Sequence, residues 1–197
     1  MKANFELRAQ AREALQDNWG NAVLATLVYW LIACVAASIP FFNFVATILF
    51  LIPFSLAYIV LFYGFYKGKK SGLVEGLFAP FNTYGRTLGL SLLVAVYTYL
   101  WTLLLIIPGI IKHYSYAMAF YIAQDEPTLS AEQAIQKSMQ IMRGNKAKLF
   151  CLDLSFIGWA LLCVLTCGIG YLWLAPYVAT ARAAFYEDLK YANAVNY

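Results

Sequence analysis

Residues 41–66 read FFNFVATILFLIPFSLAYIVLFYGFY and are followed by Lys67-Gly68-Lys69-Lys70. None of those 26 residues is charged. A helix needs about 20 mostly apolar residues to cross a hydrocarbon layer of about 30 Å, so the stretch predicts a membrane span stopped by a cationic end. Pro53, near its middle, removes one backbone hydrogen bond and predicts a kink. The whole chain shares this character: of 197 residues, 62% are apolar and 12% charged, with mean hydropathy +0.65. Soluble domains are about 45–50% apolar and about 25% charged. That balance excludes a soluble enzyme, a nucleic-acid-binding domain and a disordered linker. The net charge of +4 and pI near 8.8 mark loops held in the cytoplasm rather than a nucleic-acid partner. The basic residues are scattered, with no stripe interleaved with exposed aromatics.

Working outward, residues 22–39 form a first span ended by Pro40. A third begins after Arg86 and reaches Ile107, where Pro108-Gly109 is expected to break it. Residues 110–123 are short for a span and carry Lys112 and His113. A fifth runs from Leu149 to about Thr166, closed by a turn at Cys167-Gly168-Ile169-Gly170, and a sixth from Tyr171 to about Tyr186, ahead of Glu187, Asp188 and Lys190. Charge decides whether 110–123 crosses. If it does, both termini are cytoplasmic and 13 of the 14 Lys and Arg residues lie inside, with only Lys112 toward the outside. If it does not, the basic loop 125–148 faces outward, against the positive-inside rule. The expected fold is therefore all-α: six transmembrane helices as three hairpins, in one integral-membrane domain over residues 1–197. The polar segment before the first span contains Glu6, Glu13 and Asp17, unlike the short basic start of a signal peptide.

The hairpins align as three copies, over residues 1–66, 71–123 and 130–190. Phe-Tyr recurs at Phe62-Tyr63, Phe120-Tyr121 and Phe185-Tyr186, and an aromatic or basic residue precedes Gly20, Gly85 and Gly144. Pro53 and Pro176 each stand nine residues before a Phe-Tyr, where the second copy has Ile111. Copies with an even number of spans point the same way, about an axis along the membrane normal. In a chain with 15 Tyr, 14 Phe and 12 Gly such matches also arise by chance. Ahead of each copy lies a partly amphipathic segment, at 3–17, 71–82 and 130–142. In the last, Ser130 and Gln133 have capping-box spacing. Ile135, Met139 and Met142 then share one face, opposite Glu132, Gln136, Lys137 and Arg143, and that face is expected in the acyl boundary on the cytoplasmic surface. Leu7, Ala11, Ala14 and Leu15 make a weaker stripe in the first.

Catalytic chemistry is not legible. A single His removes multi-histidine metal sites, no phosphate-binding loop is present, and no catalytic residue, metal or cofactor is expected. Of Cys34, Cys151, Cys163 and Cys167, the last two stand four apart on one helix face, where a disulfide or a metal pair is conceivable. Helical spacing is awkward for bridging, and small apolar core residues are the better reading. Ionisable groups at membrane depth draw functional suspicion. Asp153 and Arg182 sit near the inner boundary of the last hairpin, where they can pair and set its register, or each snorkel to water. Lys112 and His113 form an outer polar cluster that reads as a pathway mouth or a headgroup site, or as interfacial anchoring.

The run Ile107-Pro108-Gly109-Ile110-Ile111-Lys112, with Tyr114-Ser115-Tyr116-Ala117-Met118-Ala119, Asp125 and Pro127, resembles a bacterial integral-membrane family catalogued as domain of unknown function 975. The likeness continues through Glu132, Ala134, Ser138, Met142, Gly144 and Lys146 to Gly158-Trp159, Pro176-Tyr177 and Phe185-Tyr186. It covers the last half of the chain well and the first third in general pattern. The family is distantly similar to the membrane-anchor domain of some glycerophosphodiester phosphodiesterases, which is not their catalytic part. The resemblance implies a multi-pass protein of the bacterial plasma membrane and no activity. A non-catalytic scaffold or accessory module, binding lipid, a membrane-protein partner or a second copy, is the leading expectation. The alternative is a small-solute or lipid transporter or channel with a central cavity lined by residues such as Ser55, Ser91, Thr98 or Ser155. An intramembrane lipid enzyme would need Asp153, Lys112 or His113 in one cleft, and their positions at opposite membrane depths argue against it.

Overall fold

A computed structural model of the protein describes residues 2–37, 52–68 and 84–194. Among them every regular element is a helix, as an apolar chain without alternating patterning dictates. The order is α1 (Asn4–Leu15), α2 (Trp19–Ala37), α3 (Ile52–Tyr66), α4 (Tyr84–Leu104), α5 (Ile106–Tyr116) and α6 (Ala119–Asp125). Then follow α7 (Ala131–Ile141), α8 (Lys146–Leu154), α9 (Ile157–Leu165) and α10 (Tyr171–Ala194). The expected turn at Pro40, the kink at Pro53, which needs the residues before it, and the segment 71–82 lie outside the described residues.

Among the described residues, two stretches are long and apolar enough to cross a membrane, Gly85–Leu103 and Lys146–Leu165, and a third arises if α1 and α2, bent by 94°, count as one. The last helix is long at 24 residues but carries Arg182, Glu187, Asp188 and Lys190. Large apolar side chains point outward along the candidate spans, among them Leu92, Leu103, Leu161 and Leu165. A monomer bathed in water rarely exposes so much contiguous apolar surface.

Pro108-Gly109 does not break the helix. The break is one extended residue, Leu105 (φ −160°, ψ 139°), after which α5 runs straight through the dipeptide. Pro108 stands in the first turn, where its missing N–H costs no intrahelical bond. Gly109 is there for approach: a Cβ on it would lie 2.4 Å from Thr102 Oγ1 and 2.7 Å from Thr102 Cα. It lets α4 and α5 press together as an antiparallel pair.

The amphipathic segments also sit differently from expectation. Ser130 caps α7, its Oγ accepting from Gln133 N at 3.2 Å while Ser130 N donates to Gln133 Oε1 at 2.8 Å. Yet Ile135 and Met142 are sealed against the protein interior, with the half-buried Met139 packed on the same core, so this face is not offered to an acyl layer. Leu7, Ala11 and Leu15 are fully buried too, on a helix that packs along α10 and α3. The glycines of the three copies also differ. Gly144 takes a left-handed φ of +76°, whereas Gly20 and Gly85 lie inside helices.

The last helix is the hub, touching α1, α2, α3, α7, α8 and α9. Ala181, Ala183, Ala184, Phe185 and Leu189 are completely buried. Small side chains let neighbours approach closely where no hydrophobic drive holds helices together.

Candidate functional site

The Phe-Tyr dipeptides meet. Rings of Tyr63 and Tyr121 are 5.4 Å apart and edge-on, Tyr63 and Tyr186 5.6 Å apart and edge-on, and Tyr121 and Tyr186 5.2 Å apart and stacked. The triangle draws one tyrosine from each of α3, α6 and α10, and all three are buried. Four residues after each tyrosine, one helical turn on and on the same face, stand Lys67, Asp125 and Lys190. These form a second layer: Lys67 Nζ lies 2.9 Å from Asp125 Oδ1, and Lys190 Nζ 2.6 Å from Asp125 Oδ2. Sequence reading found the Phe-Tyr repeat and missed this layer. The signal was present as a charged residue at the same offset in every copy.

Glu187 completes the layer. Its Oε1 is 3.2 Å from Lys67 Nζ and 2.5 Å from the Tyr63 hydroxyl, which is also 2.8 Å from both Asp125 oxygens. One hydroxyl proton serves one acceptor at a time, so Lys67 supplies the charge that lets two carboxylates crowd a single tyrosine. Tyr186 donates to Asp125 Oδ2 at 3.2 Å, and Lys67 lies 4.4 Å above the Tyr63 ring. Two carboxylates and two ammonium groups cancel. Burial would raise the Asp125 pKa, but hydrogen bonds from Lys190, Lys67 and Tyr63 outweigh it and hold the carboxyl at about 2. The hydrogen bond to Asp125 raises the Lys190 pKa against the opposing effect of burial.

The adjoining segment gathers further cations. Arg86 donates to the carbonyls of Glu126 at 3.1 Å, Leu129 at 2.7 Å and Pro127. Lys137 pairs with Glu126 at 2.5 Å. Lys67, Arg86, Lys137 and Lys190, from four separate stretches, thus converge on residues 125–129 at one end of the bundle.

Asp153 and Arg182 come together in a fork: Arg182 Nε donates to Oδ1 at 2.9 Å and Nη2 to Oδ2 at 2.8 Å. Tyr114 adds a hydroxyl to Oδ2 at 3.2 Å. Tyr114, the residue after His113, thus joins this pair from a separate element. The outer polar cluster does not form as one unit. Lys112 turns to the Trp101 ring, 4.6 Å from its centroid, while His113 sits edge-on to Tyr114 at 5.7 Å. Adjacent residues on a helix point about 100° apart, which is why they diverge. Of the cysteines, Cys163 is buried as expected; Cys34, Cys151 and Cys167 are exposed.

A cavity of about 460 Å³ lies between α3, α4, α5 and α6, lined by Ser55, Ser91, Thr98, Thr102 and His113 together with apolar side chains. Ser91 and Thr102 spend their hydroxyls on carbonyls of their own helix, Thr87 at 2.7 Å and Thr98 at 2.8 Å. Ser155 is elsewhere, bonded to the Leu152 carbonyl at 2.7 Å. Among the described residues no group of three His, Cys, Asp or Glu side chains could hold a metal.

A family model described as "Protein of unknown function (DUF975)" matches residues 41–193. The chain belongs to the DUF975 family. The DUF975 match takes in all three Phe-Tyr copies and the ionic layer, and begins well before the half of the chain where resemblance was clearest. Helix α1 lies outside it. No curated protein and no solved structure matches the chain, so the likeness to the phosphodiesterase anchor gains no support.

Proposed function

We propose that this DUF975 protein is a non-catalytic, multi-pass module of the bacterial inner membrane, with six spans in three parallel-pointing hairpins and both termini cytoplasmic. It works by holding lipid or another membrane protein. The observation that carries this reading is the filled centre. Tyr63, Tyr121 and Tyr186 close the bundle just above a charge-balanced layer, where a conduit would need open polar space. Convergence of Lys67, Arg86, Lys137 and Lys190 on one end supports a single cytoplasmic face. The missing spans have local reasons. Only part of residues 41–66 is described, residues 117–118 divide the fourth span into α5 and α6, and Arg182, Glu187 and Lys190 of α10 are each paired with an opposite charge from another element.

The cavity beside His113 favours a second reading, transport of a small solute, since it holds three of the hydroxyl residues such a path would use. Against it, Ser91 and Thr102 turn their hydroxyls to carbonyls of their own helix rather than into the cavity. Proteoliposome flux separates the two. The module reading expects movement of protons, potassium, chloride and a fluorescent phospholipid at the rate of empty vesicles. Protein-dependent flux abolished by a bulky substitution such as S91W would establish transport instead.

A further inference from the structure

A second cavity, of about 420 Å³, opens between α1, the start of α2, α9 and the first turns of α10. Its size is within the roughly 300–1,000 Å³ of ligand pockets. Its walls are apolar and aromatic: Trp19, Trp159 and Trp173 line it, three of the five tryptophans in the chain. One end is different. Arg8 and Arg12, one turn apart on α1, enter the lining there, and no carboxylate does among the described residues. Neither arginine makes an ion pair among those residues.

Arg8 is held in place without being neutralised. Its guanidinium lies 5.3 Å from the centre of the Phe156 ring, and Phe156 packs edge-on against Tyr177 at 5.1 Å. Tyr177 in turn donates to the Arg8 carbonyl at 3.2 Å. Arg8 Nε is buried and has no hydrogen-bond partner among the described residues. A buried N–H donor left unmade is costly, and a guanidinium presents paired donors that fit phosphate oxygens. Tryptophan flanks suit a ligand whose one end is apolar and the other wet. Cations at one end, an oily slot behind them and no acid nearby match an amphiphile with an anionic head.

We infer that this groove binds one anionic phospholipid. Its phosphodiester sits at Arg8 and Arg12, and an acyl chain lies along Trp159 and Trp173. The inference rests on the module reading above and names its ligand class. Basic pockets between membrane helices recognise such headgroups.

The tryptophans supply the readout. The full chain is reconstituted in phosphatidylcholine vesicles, and a bromine-labelled acyl lipid is titrated in, as either phosphatidylglycerol or phosphatidylcholine. Brominated phosphatidylglycerol should quench at a mole fraction roughly 25-fold lower than brominated phosphatidylcholine. Each guanidinium should contribute about fivefold. The R8Q/R12Q variant should bring the two titrations together, while R8K/R12K, which keeps both charges, should retain most of the preference. Equal quenching by the two lipids in the native protein overturns the inference, as does an equal loss in both variants. The flux measurement is independent: equal quenching without flux removes the lipid site and leaves the module, whereas flux removes the module itself.

Discussion

Asp125 sits at the centre of the ionic layer. It accepts from two lysines and two tyrosines, drawn from α3, α10 and the segment just after α3. A carboxyl whose pKa falls on folding stabilises the native state above its unfolded value and loses that contribution as pH drops through the folded one. Asp125, held at about 2 against an ordinary value near 3.9, should therefore contribute on the order of 2 kcal/mol at neutral pH. That contribution should vanish between about pH 4 and pH 2. Thermal unfolding of the detergent-solubilised protein across that window should show the loss, and D125N should remove its pH dependence. The Asp153–Arg182 fork makes a separate prediction. R182Q leaves a half-buried carboxylate without its cation and should cost about 2 kcal/mol, while D153N/R182Q recovers part of it. A double-mutant cycle with no coupling would mean that the two side chains act independently.

At the scale of the element, sequence and structure agree where the cause is local and part where it is not. Ser130 and Gln133 encode a helix start through bonds made within one turn, so the capping box was legible. Pro108-Gly109 was misread because its role is tertiary: Gly109 exists to let Thr102 come close, which adjacent residues do not reveal. The apolar face of α7 was correctly located, but periodicity does not say whether lipid or protein covers it. Likewise the sequence left Arg182 and Asp153 open between a pair and two snorkelling charges, and gave no sign of Tyr114 reaching them from another element. Substitution tests the helix packing directly. G109A would press a methyl group against the Thr102 backbone, and should destabilise the protein by about 2–3 kcal/mol. T102A should not rescue it, since the backbone of residue 102 would still lie 2.7 Å from the added methyl group. An unchanged melting temperature for G109A would show that the pair can splay at no cost.

Over the whole molecule, tyrosines far apart in the sequence are brought together in space. Three tyrosines from three segments form one triangle, and the charges a turn further on pair with each other. In the proposed topology the ionic layer lies toward the cytoplasm and the Cys167-Gly168 turn faces outward.

Site-directed labelling measures that arrangement directly. In a background lacking the other cysteines, Cys167 alone should react with a membrane-impermeant maleimide applied to intact spheroplasts. K67C and K137C should react only after permeabilisation, and both from the cytoplasmic side. Reaction of K67C and K137C from opposite sides, or of all three from the same side, would contradict the account.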